Sequence, residues 1–214
     1  MTIDIDRNIW LALPMESNAS EQHWHDGHGV SLVLNHLGFD HDLYSRLSDE
    51  MAVRTYYRNQ FALQQMGIVE CDVLEKAGTK LVRVVGKVMN PARPGMIYIA
   101  SLAIPLRDKS FVFTLHAQEG KLTGLRDNVI LNRLLSQGQI TFDPKTESLK
   151  AWAQDPYFAT YQGPCLRNLS EDKQYDQEFP DHPLSKVRFR VDELLKFIEL
   201  PSGSTRVKKP WWKL

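Results

Sequence analysis

Residues 68–118 read IVECDVLEKAGTKLVRVVGKVMNPARPGMIYIASLAIPLRDKSFVFTLHAQ, and they give the strongest indication of the fold class. Turn residues divide it into four runs that are rich in aliphatic and β-branched side chains, at 68–74, 79–88, 96–106 and 110–118. The connections between the runs are short, whereas parallel strands need a crossover of a dozen or more residues. The runs therefore predict four consecutive strands of an antiparallel meander.

The last run shows which side chains share a face of the predicted sheet. Successive side chains of a strand point to opposite faces. The run accordingly places Phe111, Phe113 and Leu115 on one face and Val112, Thr114 and His116 on the other. Both faces are expected to be partly covered.

The segments before the meander predict two more strands and a helix. Short apolar runs at 9–14 and 30–34 indicate strands, joined by a long polar loop. Apolar residues recur at helical spacing over 47–66, where Ser48 can cap the start of a helix and Gly67 can end it.

Two further helices are predicted after the meander. Residues 125–137 place Leu125, Val129 and Leu134 along one side of a helix, and Gly138 stops it. Residues 184–200 match a helical stripe at six positions and a strand at three, which favours a helix.

These elements define an α+β fold class, an antiparallel sheet flanked by helices with a C-terminal extension. We expect residues 1–140 to form the antiparallel-sheet core and residues 141–200 to form an extension packed on it. Residues 201–214 form a basic, aromatic tail.

Composition restricts the classes of partner. Apolar residues make up 43% of the 214-residue chain, which is typical of a globular protein, and 26 basic residues balance 26 acidic ones. Without a net charge there is no global field to attract nucleic acid, so the composition disfavours a nucleic-acid partner and any such contact would have to be local. Cys71 and Cys165 form no CxxC pair, and no leader or spanning segment is evident, so we expect a cytoplasmic protein.

A cluster of potential metal ligands lies at residues 23–28. His23, His25, Asp26 and His28 are four such side chains within six residues. The spacing is similar to the HxHxDH motif of metallo-β-lactamase-like hydrolases, but Gly27 stands where that motif has its aspartate. A polar, solvated loop explains the same residues.

Other catalytic signatures are missing. The sequence contains no P-loop, GxGxxG, GxSxG or HExxH motif, so we expect no nucleotide-dependent chemistry and no cofactor. His116 is a candidate general base, although a lone histidine on a half-buried strand is more often structural. We expect Cys71, which lies on a predicted strand, to be a core residue.

Two segments can present side chains to a partner. The loop at 90–95 is rigid and can display Arg93; it can also be a plain connection. The tail interleaves cations with aromatic rings, namely Lys208, Lys209, Trp211 and Trp212. The tail can touch RNA, a membrane surface or a protein groove, or fold back on the domain, and we expect membrane contact through no other segment.

The order strand, strand, helix, antiparallel strands and closing helix, over residues 9–137, resembles the PsbP/DcrB-like α/β/α sandwich. The resemblance is carried by hydrophobic patterns at 67–69, 81–86, 96–100, 111–115 and 124–126. It implies a mostly non-enzymatic superfamily of photosystem extrinsic subunits, a small-GTPase-binding protein and bacterial chaperones or adaptors. No catalytic residue is implied, because that fold has no shared active site.

The sequence therefore favours a non-catalytic protein-binding adaptor or chaperone-like module that binds a protein partner. The alternative is a metal-dependent hydrolase centred on residues 23–28.

Overall fold

The computed structural model describes residue 6, residues 8–13 and residues 20–200. Within these ranges the chain forms nine strands and four helices. The strands are β1 (Leu11–Ala12), β2 (Glu21–His25), β3 (Ser31–Gly38), β4 (Gly67–Lys76), β5 (Thr79–Met89), β6 (Met96–Pro105), β7 (Lys109–Gln118), β8 (Thr141–Asp143) and β9 (Ser148–Lys150). The helices are α1 (His41–Arg46), α2 (Glu50–Leu63), α3 (Leu125–Ser136) and α4 (Pro183–Phe197).

Seven strands form one antiparallel sheet in the order β1-β2-β3-β7-β6-β5-β4. The four strands predicted from residues 68–118 are confirmed as β4 to β7, and they pair as a meander. The run at 30–34 is confirmed as part of β3. The α+β fold class is confirmed. Strands β8 and β9 form a separate small hairpin.

The prediction of a long polar loop between the first two strands is wrong in part, because β2 lies within that segment. This strand pairs with β3 along its whole length, from Glu21 opposite Asn35 to His25 opposite Ser31. Every residue of β2 is half-buried. A strand with so few apolar residues gives no clear alternation, so pairing with β3 determines its structure more than its own sequence does.

The predicted helix at 47–66 is shorter than expected and has a different cap. It is α2, and the side chain of Asp49 accepts hydrogen bonds from the backbone N–H groups of Met51 and Ala52. A carboxylate satisfies the free N–H groups of a first turn as a serine does and also interacts favourably with the helix dipole. The preceding residues form the short α1, capped by Asp40.

Helices pack on both faces of the sheet. Helix α4 lies against β6 and β7 and forms the main core with one face, which includes Leu32, Leu102 and Phe113. Helix α2 packs against β4 on the opposite face, where Val53 and Phe61 meet Ile68, Cys71, Val82 and Val84. No helix in the part of the chain that the structure describes is long and apolar enough to span a bilayer.

Helix α3 is confirmed, but its buried stripe differs from the predicted one. Leu125 and Val129 are exposed, whereas Arg126, Ile130 and Leu134 are buried at helical spacing. The Arg126 guanidinium is buried because it donates to the backbone oxygens of Ser170 and Asp172 and forms an ion pair with Asp176. An apolar pattern cannot reveal a buried stripe that begins with arginine.

Helix α4 is confirmed, and each basic residue near its start has an acidic partner. Lys186 lies 3.5 Å from Asp181, and Arg190 lies 2.9 Å from Asp26. Arg188 is buried and pairs with Glu70 of β4 and with Asp176. These tertiary partners offset the unfavourable interaction of the three cations with the helix dipole.

The Glu70 ion pairs predict acid sensitivity. Burial alone would raise the pKa of the Glu70 carboxyl, but the guanidinium groups of Arg188 and Arg83 outweigh burial and hold that pKa below the ordinary value of 4.5. Such a carboxyl stabilises the folded state above its unfolded pKa, and the contribution is lost as the pH falls through the folded pKa. We expect the free energy of unfolding to fall below about pH 4.5, and less steeply in Glu70→Gln. Urea titrations across this range measure both slopes, and equal slopes would contradict the prediction.

Candidate functional site

The sheet face that carries α2 is only partly covered over one half of its width. Along β3, β6 and β7, buried side chains alternate with half-exposed ones, whereas the same face of β5 is buried at Val82, Val84 and Gly86. We call this surface the open half-face. It consists of His23, His25, Ser31, Val33, Ile97, Ile99, Ser101, Thr114 and His116, and the half-exposed Glu21, Asn35 and Val112 continue the same face in the next row.

Strand register arranges most of these residues in two rows. One row runs from His25 to Ser31, His116 and Ile99 on four successive strands. The other runs from His23 to Val33, Thr114 and Ser101. Neighbouring strands lie about 4.8 Å apart, so each row spans about 15 Å.

A groove of about 620 Å³ lies at the end of the first row. Its walls are the β2–β3 turn, the start of β6 and the end of β7. The lining residues are His25, Gly27, Gly29, Val30, Ser31, Ile97, His116, Ala117 and Gln118. This volume lies within the range of ordinary small-molecule sites.

Asp26 holds the β2–β3 turn, which forms one wall of the groove, in place. Its carboxylate accepts the backbone N–H groups of His28 at 2.8 Å and Val30 at 3.0 Å, and the Arg190 Nε at 2.9 Å. Burial alone would raise the pKa of Asp26, but these hydrogen bonds and the charge of Arg190 lower it. Asp26 is therefore a structural carboxylate that joins the turn to α4.

The two groove histidines differ in their surroundings. His25 Nδ1 accepts the backbone N–H of Gly27 at 3.2 Å, so the neutral imidazole carries its proton on Nε2 and is a donor there. Burial lowers the pKa of His116, which favours the neutral ring at pH 7. A neutral imidazole can both donate and accept hydrogen bonds.

Four polar side chains of the open half-face have no hydrogen bond within residues 6, 8–13 and 20–200. They are the hydroxyl groups of Ser31, Ser101 and Thr114 and the imidazole of His116. All four are half-exposed on central strands whose opposite face is packed in the main core. The arrangement is a rigid platform that offers hydrogen-bonding groups to a bound molecule.

The predicted metal ligands are not grouped as a metal site. His23 and His25 belong to the open half-face, His23 lies 3.1 Å from Glu21, and His28 is exposed in the turn. Among the residues described, no three His, Cys, Asp or Glu side chains are placed to hold a metal ion. The carboxylate of Asp26 is engaged by its three donors.

The predicted partner-binding residues lie partly at the same end of the molecule. Arg93 is exposed in the β5–β6 connection, and its guanidinium donates to the backbone oxygen of Glu119, the residue after β7. The tail residues Lys208, Lys209, Trp211 and Trp212 lie outside the described residues. Arg93 therefore borders the strand ends that form the groove.

A second pocket, of about 300 Å³, lies near Glu119 on the other side of β7. The Glu119 carboxylate accepts the backbone N–H groups of Met96 and Gly124, each at 2.8 Å, and lies 3.8 Å from His182 Nε2. Burial would raise the pKa of Glu119, but the nearby His182 imidazole and the hydrogen bonds from the backbone lower it. This carboxylate holds the starts of β6 and α3 in place.

Sequence reasoning missed Ser31, Ser101 and Thr114. Alternation indicates that Thr114 shares a face with His116, and the same test applied to β3 and β6 would have found Ser31 and Ser101. The sequence does not indicate that α2 packs against β4 and leaves this face half-exposed. The packing of α2 is a feature of the tertiary structure, and the sequence pattern does not reveal it.

No family model and no curated protein matches the chain. Similar solved structures include the Saccharomyces cerevisiae Ran-binding protein Mog1p, at 13% identity and a TM-score of 0.39, covering 61% of this chain and 73% of that chain. Another is PA94 of Pseudomonas aeruginosa, whose function is unknown, at 13% identity and a TM-score of 0.31, covering 64% and 79%. Similarities this distant carry no functional argument. Membership of the PsbP/DcrB-like superfamily stays a prediction.

Proposed function

We propose that the chain is a non-catalytic protein-binding module that holds its partner on the open half-face. The main support for this proposal is the set of four polar side chains on one sheet face that have no hydrogen bond within the described residues. Water can satisfy them in the free protein, and groups of a partner can replace that water when it binds. The Arg93 loop extends the surface at the groove end.

The strands that carry this surface support a binding role. Sites built on strands are positioned more accurately than sites built on loops. Ser31, Thr114 and Ser101 lie on three adjacent strands, so the ladder of backbone hydrogen bonds fixes their spacing. A partner would therefore bind a surface that needs little rearrangement.

The alternative function, a metal-dependent hydrolase, gains no support from this geometry. Its carboxylate ligand, Asp26, is held by Arg190 and two backbone N–H groups. Releasing that carboxylate to bind a metal would break the ion pair with Arg190 that joins the β2–β3 turn to α4.

A charge placed on the surface tests the proposal. In Thr114→Lys a cation replaces a half-exposed hydroxyl at the centre of the open half-face, and we expect it to reduce partner recovery by about tenfold or more, since desolvating a charge weakens binding. Recovery is measured by affinity purification of the full-length chain from its native cells, with quantitative mass spectrometry.

The matched control is Leu149→Lys, which adds the same charge at a half-exposed strand position of the β8–β9 hairpin. It should recover the partner as the unmodified chain does. Thermal unfolding of both variants confirms that they fold. Equal recovery by a folded Thr114→Lys variant would refute the proposed site.

A further inference from the structure

Helix α4 is capped by an imidazole nitrogen, whereas aspartate side chains cap α1 and α2. The backbone N–H of Leu184 donates to His182 Nδ1 at 3.2 Å, and Pro183 occupies the first turn of the helix. Because Nδ1 accepts this hydrogen bond, the neutral ring of His182 carries its proton on Nε2. The cap therefore depends on the neutral form of the ring.

Protonation of His182 removes the cap. Both nitrogens of an imidazolium are donors, so the Leu184 N–H would face another N–H group and lose its acceptor. The new charge would also lie at the N-terminus of a helix, where a cation is unfavourable. Histidine is the side chain that ordinarily changes charge between about pH 5 and pH 8. Acidification within this range can therefore release the start of α4.

A carboxylate lies close enough to hold the protonated ring. The Oε1 of Glu119 is 3.8 Å from His182 Nε2, and the two side chains are only 7% and 9% exposed. Protonation would strengthen this contact while it breaks the contact with Leu184, because opposite charges attract strongly in a buried setting. The ring thus exchanges one partner for the other.

The other charged or titratable groups near the ring already have partners or are exposed. They are Tyr98, whose ring lies 5.2 Å from the imidazole and whose hydroxyl donates to Glu171; Arg126, paired with Asp176; Glu178, paired with Arg133; Asp181, paired with Lys186; and Lys121, exposed in the loop after Glu119. Glu119 is therefore the carboxylate placed to respond to a charge on His182.

The first turn of α4 is attached to one wall of the groove. The backbone N–H of Lys186 donates to the carbonyl oxygen of His182 at 3.0 Å, which closes this turn. The ammonium of Lys186 donates to the carbonyl oxygen of His28, in the β2–β3 turn, at 3.2 Å. Gly27 and Gly29, on either side of His28, line the groove. Lys186 therefore links the cap to the groove wall.

A second attachment limits how far this wall can move. Arg190, one turn further along α4, pairs with Asp26 at 2.9 Å and holds the same β2–β3 turn. Loss of the His182 cap would therefore loosen the His28 end of the turn and leave the Asp26 end fixed.

We propose that protonation of His182 releases the cap of α4 and loosens the adjoining wall of the groove, so that acidification changes the open half-face. The consequence for binding rests on the proposed protein-binding function. The exchange of partners by His182 does not depend on it.

NMR of the free, full-length ¹⁵N-labelled chain between about pH 8 and pH 5 tests the proposal. The ring nitrogen shifts of His182 report its protonation, and hydrogen exchange of the Leu184 amide, corrected for the intrinsic effect of pH, reports the cap. Protection of Leu184 is expected to fall about fivefold as His182 becomes protonated, the usual effect of losing a cap. The Leu43 amide, which the carboxylate of Asp40 caps, is the internal control and should keep its protection.

Two variants separate the steps. His182→Asn supplies an amide that caps helices well and does not titrate, so Leu184 should keep its protection throughout. In Lys186→Met the Leu184 amide should still respond, whereas the Gly29 amide should lose the part of its shift that follows His182. The shifts caused by the histidines of the β2–β3 turn persist in His182→Asn, so comparison with the unmodified chain isolates the effect of His182. Thermal unfolding confirms that both variants fold.

Three results would overturn the proposal. They are a His182 ring that stays neutral down to about pH 5, a Leu184 amide whose protection is unchanged or falls equally in His182→Asn, and a Gly29 response that is the same in the unmodified chain and in His182→Asn. Because the free chain is measured, none of these results depends on a partner. Partner recovery by Thr114→Lys tests the proposed function separately.

Discussion

Replacing Glu171 with Gln is expected to lower the free energy of unfolding by about 3–5 kcal/mol. The Glu171 side chain is fully buried and forms an ion pair at 2.9 Å with Lys87, whose side chain is 4% exposed. It also accepts the Tyr98 hydroxyl at 3.1 Å and the Asn168 backbone N–H at 2.9 Å. A neutral amide would leave the buried ammonium of Lys87 without a counter-charge, which is the costly way to break such a pair.

Urea unfolding followed by circular dichroism measures this effect. The control is Glu178→Gln, which removes an exposed ion pair with Arg133 and should leave stability nearly unchanged. If the two variants were equally stable, the buried pair of Glu171 and Lys87 would contribute no more to stability than the exposed pair does.

Replacing Asp155 with Asn is also expected to lower the free energy of unfolding by about 3–5 kcal/mol. Asp155 pairs with Arg58 of α2 at 2.6 Å, and both side chains are buried. The Arg58 guanidinium lies between the rings of Phe158 and Tyr161, 4.2 Å from each centroid. Without the carboxylate, this cation would remain buried and unpaired.

The substitution should also release residues 155–166, which border the edge strand β4. The Tyr157 hydroxyl accepts the Cys71 backbone N–H at 2.6 Å, and a β-carbon at Gly67 would overlap the carbonyl oxygen of Cys165. Limited proteolysis should therefore cut within this segment in Asp155→Asn at protease concentrations that leave the unmodified chain intact.

Asp143→Asn is the matched control, because its Lys150 partner is exposed. It should resemble the unmodified chain both in urea unfolding and in proteolysis. Stability within about 1 kcal/mol of the unmodified chain for Asp155→Asn would show that the pair with Arg58 contributes little.

The local parts of the fold could be predicted from the sequence. The meander follows from apolar runs and short turns, and α4 follows from a six-position stripe. Strand β2 could not be predicted because its polar residues acquire their strand structure from pairing with β3. The pair of Lys87 and Glu171 joins residues 84 positions apart, and no periodicity connects them.

The candidate site could be predicted less well than the fold. The sequence drew attention to His23 and His25, and both lie on the open half-face, but the metal interpretation depended on Asp26, which instead anchors a turn. Ser31, Ser101 and Thr114 stand together only in the assembled sheet. Their half-exposure depends on helix α2 packing against β4, which a hydrophobic pattern does not specify.

Site-specific photo-cross-linking can show whether the partner contacts the open half-face. A photoreactive amino acid replaces either Ser101, on the open half-face, or Leu149, on the β8–β9 hairpin, and the cross-linked products are identified in the native cells by mass spectrometry. We expect Ser101 to give one discrete adduct with the partner, Thr114→Lys to abolish this adduct, and Leu149 to give none. An adduct with the same partner from Leu149 and not from Ser101 would show that the partner does not bind the open half-face.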